Sequence, residues 1–348
     1  MNNSPAIDFK KTFYVLGTIG LLLALMVVGR RILIPVSLAI LFAALLSPIV
    51  NYLVNKKWPE FLAITTAILA LIIVAGGVIT LLAVEIVNIA RNLPDLSERI
   101  TSIIASATSS IQEYYPDFKM TSNWKGLIAG QIEDVAQYML DSAGDIGNKL
   151  LNVILIPVFI VLFLIYRKMP VDFIEARFSG GNYKRSATHI FGRVRQMITQ
   201  FLVGSLWFTL ATGVMSFVIL LSVGSDYVLF FSIVIALLNL LPYIGTIIAF
   251  VIVITYQFIA MDGIFLPVLT WFLLWVSNLF QENVLRPWLV GRSTRINALA
   301  ILLSVIIGSM IWGVAGMIVF IPLVGIIKIV MEAVPEMKPY AVFFSDKK

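Results

Sequence analysis

The strongest constraint on this chain is its run of long apolar stretches, several of which exceed the roughly 18 residues that identify a membrane-spanning helix. Six read as single spans: about Thr12–Gly29, Ile32–Asn55, Phe61–Ile86, Leu150–Tyr166, Phe201–Val223 and Phe265–Phe280. Two longer ones, over about 226–260 and 298–330, are interrupted in mid-course. Composition agrees, since 60% of the 348 residues are hydrophobic and 13% charged, against about 45–50% and about 25% in soluble domains. A mean hydropathy of +0.98 fits a chain that faces lipid over much of its surface. The expected fold is all-α: a polytopic integral membrane protein with about eight membrane segments, two of them interrupted or re-entrant, and an extracytoplasmic amphipathic helical region.

The segments fall in order as N-terminal membrane helices (1–86), the amphipathic region (87–149), a membrane helix (150–166), a basic cytoplasmic loop or helix (167–200), a C-terminal membrane region (201–331) and a cytoplasmic tail (332–348). Lys10 and Lys11 precede the first span in the manner of a signal peptide, but no small-residue cleavage site follows, so it is read as retained. In 87–149, Pro94 and Pro116 punctuate. Leu96, Ile100, Ile103 and Ile104 form one helical stripe; Trp124, Leu127, Ile128, Ile132, Val135 and Met139 form another. These are amphipathic helices that pack on each other, lie in the headgroup layer or cover a pathway.

Charge sets the orientation. Residues 87–149 carry five basic and eight acidic residues, a net of −3, whereas 167–195 carry seven basic and two acidic, a net of +5. Positive residues favour the cytoplasm, which places 167–195 and both termini inside and the amphipathic region outside. Arg30 and Arg31, in the short connection between the first two spans, run against this scheme.

The interrupted stretches carry the functional expectation. Each half of 226–260 has roughly 15 apolar residues, about 22 Å of helix, short of a hydrocarbon core near 30 Å. The break is Asn239 to Gly245, with Pro242 and Tyr243 inside it. Two short arms around a break form a re-entrant hairpin; the alternatives are a Pro242 kink in one helix or a loop between two full spans. The 298–330 stretch breaks at Gly308 to Gly316, including Gly313, and again at Pro322. Paired interrupted segments point to a transport site, because irregular backbone at membrane depth persists only where protein or a water-filled cavity satisfies it. Between them lies a polar patch of Asn278, Gln281, Glu282, Asn283 and Arg286. Glu282 and Arg286 are four residues apart, acid before base, and can pair on one helical face. Such a pair is either a functional intramembrane group or an ordinary salt bridge at a helix end.

Other chemistries are excluded. The chain has no cysteine, so neither a disulfide framework nor a thiolate metal site arises. No Gly-rich phosphate loop, histidine metal pair or nucleophile with a nearby base is present, which argues against ATP-driven pumping and intramembrane proteolysis, and no cofactor is expected. His189, the only histidine, is read as incidental, and Trp271, Trp275, Trp288 and Trp312 as interfacial or packing residues. The net charge of +6 reflects cytoplasmic loops rather than nucleic-acid binding, since no basic helix or aromatic RNA-binding motif accompanies it.

Asn239 with Pro242-Tyr243-Ile244-Gly245, then Glu282-Asn283-Val284-Leu285-Arg286-Pro287 leading to Gly291, then Gly313, Gly316 and Pro322, resemble the autoinducer-2 exporter family of bacterial membrane proteins. The likeness extends over nearly the whole layout. It implies about eight membrane segments, a homopentamer, and transport driven by ion gradients; members are linked to autoinducer-2 export, others to sodium–proton exchange. Two positions depart from the family pattern: Thr246 stands where many members have proline, and Glu282 where an aspartate is common.

The sequence therefore reads as a secondary transporter in a bacterial inner membrane, acting among lipids on a small polar solute with H+ or Na+ as coupling ion. Asn239, Pro242, Tyr243 and Gly245 shape one side of the pathway, and Glu282 and Asn283 with Gly313 and Gly316 the other. A sodium–proton antiporter, a non-transporting envelope scaffold and a passive channel remain alternatives.

Overall fold

The computed structural model describes residues 9–115, 130, 134–135, 137–141, 155–177, 181–242, 244–261, 263–290 and 296–345. Those residues are mostly helical, without a strand. In chain order the helices are α1 (Phe9–Val28), α2 (Arg30–Asn55), α3 (Glu60–Tyr114), α4 (Leu155–Ile165), α5 (Met169–Arg177), α6 (Gly181–Ser222), α7 (Val228–Leu238), α8 (Ile244–Ala260), α9 (Phe265–Phe280), a π-helical segment (Gln281–Leu285), α10 (Arg286–Leu289), α11 (Ala298–Ala333) and a closing 3-10 helix (Lys338–Phe344). Four are long and apolar enough to cross a membrane, namely Arg30–Asn55, Glu60–Asn92, Ala187–Ser222 and Ala298–Ala333; Leu155–Ile165, Val228–Leu238 and Ile244–Ala260 are apolar but shorter. Leu21, Ile73, Val214 and Leu299 are each more than 60% exposed. So much bare hydrocarbon is untenable in water and natural in lipid.

Three boundaries differ from expectation. Helix α3 runs unbroken through Pro94 to Tyr114. One proline removes one hydrogen bond and strains one turn, whereas stopping would orphan four carbonyls and four amides. The helix ends at Tyr115, where φ is −133°, because Pro116 drives its predecessor out of helical geometry. The later part of the basic segment, from Gly181 on, is likewise continuous with the fifth span in one 42-residue helix, α6. Finally, there is no loop at Arg30 and Arg31. Gly29 alone separates α1 from α2, its N–H bonding Leu25 at 2.8 Å and its carbonyl receiving Leu33 N–H at 2.9 Å. The two arginines form the first turn of α2, so they carry no information about a separate connection. Of the second amphipathic stripe, only Val135 and Met139 fall among the described residues.

The chain forms two compact units, each discontinuous in sequence. The first comprises 1–48, 155–199 and 294–348. In it the C-terminal tail is tied down: Asn297 caps α11 by accepting from Ala300 N–H at 2.7 Å, and its amide donates to the Phe343 carbonyl at 2.7 Å. The second comprises 49–154 and 200–293. Its core gathers Ile89, Leu220, Phe230, Phe231, Ile235, Ala249, Val253 and Leu274, with Met139 against it.

The absence of native cysteine makes the topology directly testable. If Ser110 is external and Lys168 cytoplasmic, Ser110→Cys should react with a membrane-impermeant maleimide in intact cells. Lys168→Cys should react only after permeabilisation. The reverse pattern would invert the orientation.

Candidate functional site

In the second unit, α7 and α8 form an antiparallel helical hairpin. Tyr227, just before the first arm, meets Tyr256 near the end of the second at 5.8 Å between ring centroids, and Phe231 meets the same ring at 4.8 Å. A kink in one long helix is therefore excluded. The turn is compact because its own groups satisfy one another. Ile244 N–H bonds the Pro242 carbonyl at 2.8 Å, Gly245 N–H bonds Leu241 at 3.0 Å, and Thr246 Oγ1 donates to Asn239 Oδ1 at 2.5 Å. Asn239 is 2% exposed. A Cβ on Gly245 would lie 1.7 Å from the Leu238 carbonyl oxygen, so only glycine fits there. Thr246, which departs from the family's proline, supplies a hydroxyl that proline lacks. Tyr243 lies outside the described residues, as does Gly291.

The polar patch coincides with a change in helix geometry. After Phe280 the backbone widens into a π segment, and Arg286 N–H bonds the Gln281 carbonyl five residues back. Short π segments occur frequently at functional sites. Gln281 is 3% exposed and bonded on both sides: Thr212 Oγ1 donates to its Oε1 and its Nε2 donates to Ser277 Oγ, each at 2.8 Å. Thr212 and Ser277 are themselves buried. Glu282 and Arg286 do pair, through two hydrogen bonds of 2.6 and 2.8 Å with both side chains about a third exposed. The Arg286 guanidinium also sits 4.2 Å over the Phe208 ring, a cation–π contact. Asn283 is exposed and donates to the Leu279 carbonyl at 2.8 Å on its own helix. Asn278 Oδ1 and Thr209 Oγ1, one turn from Gln281 and Thr212, are buried without a hydrogen-bond partner, as is the whole amide of Gln257. α6 also meets the end of α10 backbone to backbone, leaving 2.4 Å between a Cβ on Gly204 and the Leu289 carbonyl oxygen.

In the first unit, α11 is not a straight rod. Gly313 adopts φ 62°, ψ −140°, and the chain doubles back there. A Cβ on Gly308 would stand 2.4 Å from the Gly316 carbonyl oxygen, one on Gly316 1.9 Å from that of Gly308. Trp312 packs edge-on against Phe320 at 5.7 Å. Residues eight apart in a continuous helix would be about 12 Å apart along its axis, so these contacts define a second hairpin with arms 298–312 and 314–333. The helix continues through buried Pro322, contrary to the expected second interruption. Trp312 Nε1 donates at 2.9 Å to the Met26 carbonyl, an open acceptor in the last turn of α1.

Sequence reasoning thus located both breaks and the patch, and missed their supports. Thr212 and Ser277 had no signal beyond being polar in apolar runs. Gly204 looked like any small residue in a span. Lys328, 4% exposed, lies 3.8 Å from Glu332, which Arg193 reaches at 2.7 Å; a buried cation in an apolar stretch was the signal available.

A model of the AI-2E family transporter matches residues 13–336. Similar proteins include the AI-2 transport protein TqsA of Escherichia coli (strain K12), 24% identical over 347 residues that cover 97% of this chain and 96% of TqsA. YhhT of the same strain is 23% identical, covering 91% and 89%. YrrI of Bacillus subtilis (strain 168) is 22% identical, covering 87% and 86%.

Two substitutions probe the geometry. Gly313→Ala forces a side chain into a backbone region that is essentially glycine's alone, which costs about 1–3 kcal/mol. Gln281→Leu strands the Thr212 and Ser277 hydroxyls, at about 1–3 kcal/mol. Each should lower the melting temperature of the detergent-purified protein by roughly 1–4 °C. An unshifted melting curve for Gly313→Ala would mean that the turn does not need glycine.

Proposed function

The chain belongs to the AI-2E family of transporters, and we propose that it exports a small polar molecule or signal of the autoinducer-2 kind across a bacterial inner membrane, driven by an ion gradient. The observation that carries this reading is the polar cluster built into the π segment, with Gln281 held between Thr212 and Ser277 beside the Glu282–Arg286 pair. Structure alone does not require so much hydrogen-bonding capacity among apolar helices. The unpartnered oxygens of Asn278 and Thr209 are groups that a hydroxylated solute would satisfy.

Glu282 is the coupling group in this proposal. Proton or cation binding there weakens its pair with Arg286, and the Phe208 face retains the released guanidinium. That gives the site two arrangements of one charge, the bistable element that a coupled cycle needs. The hairpins are read as re-entrant, because the first arms, 11 and 15 residues long, reach only about 16 and 22 Å. Cytoplasmic termini and a homopentameric assembly complete the reading. The AI-2 transport protein TqsA is consistent with such a solute.

Purified protein in liposomes, under imposed proton and sodium gradients and with a panel of small polar solutes that includes autoinducer-2, tests this directly. Glu282→Gln should reduce gradient-driven flux to the level of empty vesicles. Undiminished coupled flux in that variant would remove Glu282 from the mechanism. Proton-coupled sodium movement without any solute would favour antiport instead.

A further inference from the structure

Gln257, in α8, is a buried polar side chain that the transport reading leaves unused. It is 0% exposed, and neither its Oε1 nor its Nε2 has a hydrogen-bond partner. It continues the inner face of α8, where Gly245, Ala249 and Val253 precede it at four-residue spacing. Ala249 and Val253 belong to the apolar core of the second unit. A methionine at 257 would extend that core, whereas an amide without a partner costs free energy. A buried polar group that packing does not explain needs a partner from outside the fold.

Its position separates it from the π segment. Four residues, 261–264, join α8 to α9, so the two helices run side by side in opposite directions, and Val253 and Leu274 share one core. Gln257 is one turn from the end of α8, which puts it roughly 20 Å along α9 from Gln281. Between the two levels lies an apolar belt that includes Leu220, Phe231, Val253 and Leu274. On α9, one turn before Leu274, the buried Thr270 donates its hydroxyl to the Leu266 carbonyl at 2.9 Å, which leaves its oxygen able to accept. This end of the bundle is fastened to α3 by side chains: Asn92 Nδ2 donates to Tyr227 Oη at 2.5 Å, and Arg99 donates to the Ala260 carbonyl.

The chemistry of the interior selects the ligand. Among the described residues, every buried polar side chain of the second unit is a hydroxyl or an amide, and none is charged. An ion brought to Gln257 would lose its hydration and meet no buried opposite charge. A primary amide offers a donor and an acceptor side by side, which a hydroxyl answers with its own acceptor and donor. We propose that Gln257 is a second station for the solute, at the end of the second unit remote from the π segment, and that this solute is a small, neutral, hydroxylated molecule. The inference rests on the transport reading above: the polar cluster is the first station, and the apolar belt is the barrier between the two.

Two variants test it in the full-length protein, which has no native cysteine. In liposomes, Gln257→Cys should be modified by 2-hydroxyethyl methanethiosulfonate, a neutral hydroxylated probe. Ala249→Cys, two turns deeper on the same buried face, should stay unmodified over the same time. Lack of reaction at Gln257→Cys, or equal rates for the two variants, would overturn the proposal. Gln257→Met should melt no lower than wild type, because it removes an unpartnered amide. It should also cut the flux of whichever of autoinducer-2 and erythritol wild type carries, by about tenfold for the lost hydrogen bonds. A lower melting temperature would make the amide a structural group, and undiminished flux would take it off the path; either result overturns the proposal. Absence of wild-type flux would instead overturn the transport reading, and the cysteine result would still decide whether a hydroxylated molecule reaches Gln257.

Discussion

A backbone amide inside a bilayer has no water to fall back on, so in a chain built largely of membrane-spanning helices a departure from helical geometry at that depth needs partners supplied by the protein itself. At each break the structure supplies such partners in a different way. At the α7–α8 turn, neighbouring carbonyls accept from Ile244 and Gly245 while the side chains of Asn239 and Thr246 bond each other. In α11 the break is confined to one residue, Gly313, so few groups are left open. At the α1–α2 junction the indole of Trp312 serves the Met26 carbonyl. The π segment keeps its ladder by bonding five residues back rather than four.

The same solvent changes what holds the helices together. Lipid tails are as apolar as leucine, so burying hydrocarbon between membrane helices yields little by itself, and close packing and polar contacts take over. Gly308 against Gly316 and Gly204 against the end of α10 bring backbones to distances that any side chain would block. The Thr212–Gln281–Ser277 chain is the polar counterpart, a fully bonded link between α6 and α9. Where such polar groups are left without partners, as at Gln257, Asn278 and Thr209, the structure carries a penalty that packing does not explain. That contrast between satisfied and unsatisfied groups concentrates the functional reading in the second unit.

The Glu282–Arg286 pair shows why position outweighs the bare presence of charge. Its spacing made the contact legible from sequence, and the two bonds of 2.6 and 2.8 Å realise it. Its surroundings were not legible. Phe208 lies 78 residues earlier in the chain, yet its ring faces the guanidinium and gives Arg286 a second partner. A surface salt bridge of the same spacing would lack that alternative and would contribute little.

Hydrophobic length and punctuation, read along the chain, determined the helical class, most segment limits and the sites of both breaks. These follow from local rules: apolar run length, glycine and proline, and the four-residue spacing of a helix face. Local rules also erred in predictable places. Pro94 and Pro322 sit within continuous helices, because one lost hydrogen bond is a smaller penalty than the ends of two helices. Arg30 and Arg31 began a helix rather than lining a loop. Only the tertiary structure decided that α7–α8 and α11 double back on themselves, which glycines face a carbonyl, and that Thr212, Ser277 and Phe208 surround the patch. Those facts depend on contacts between residues far apart in the chain, and a one-dimensional pattern of hydropathy and charge does not encode which distant surfaces meet.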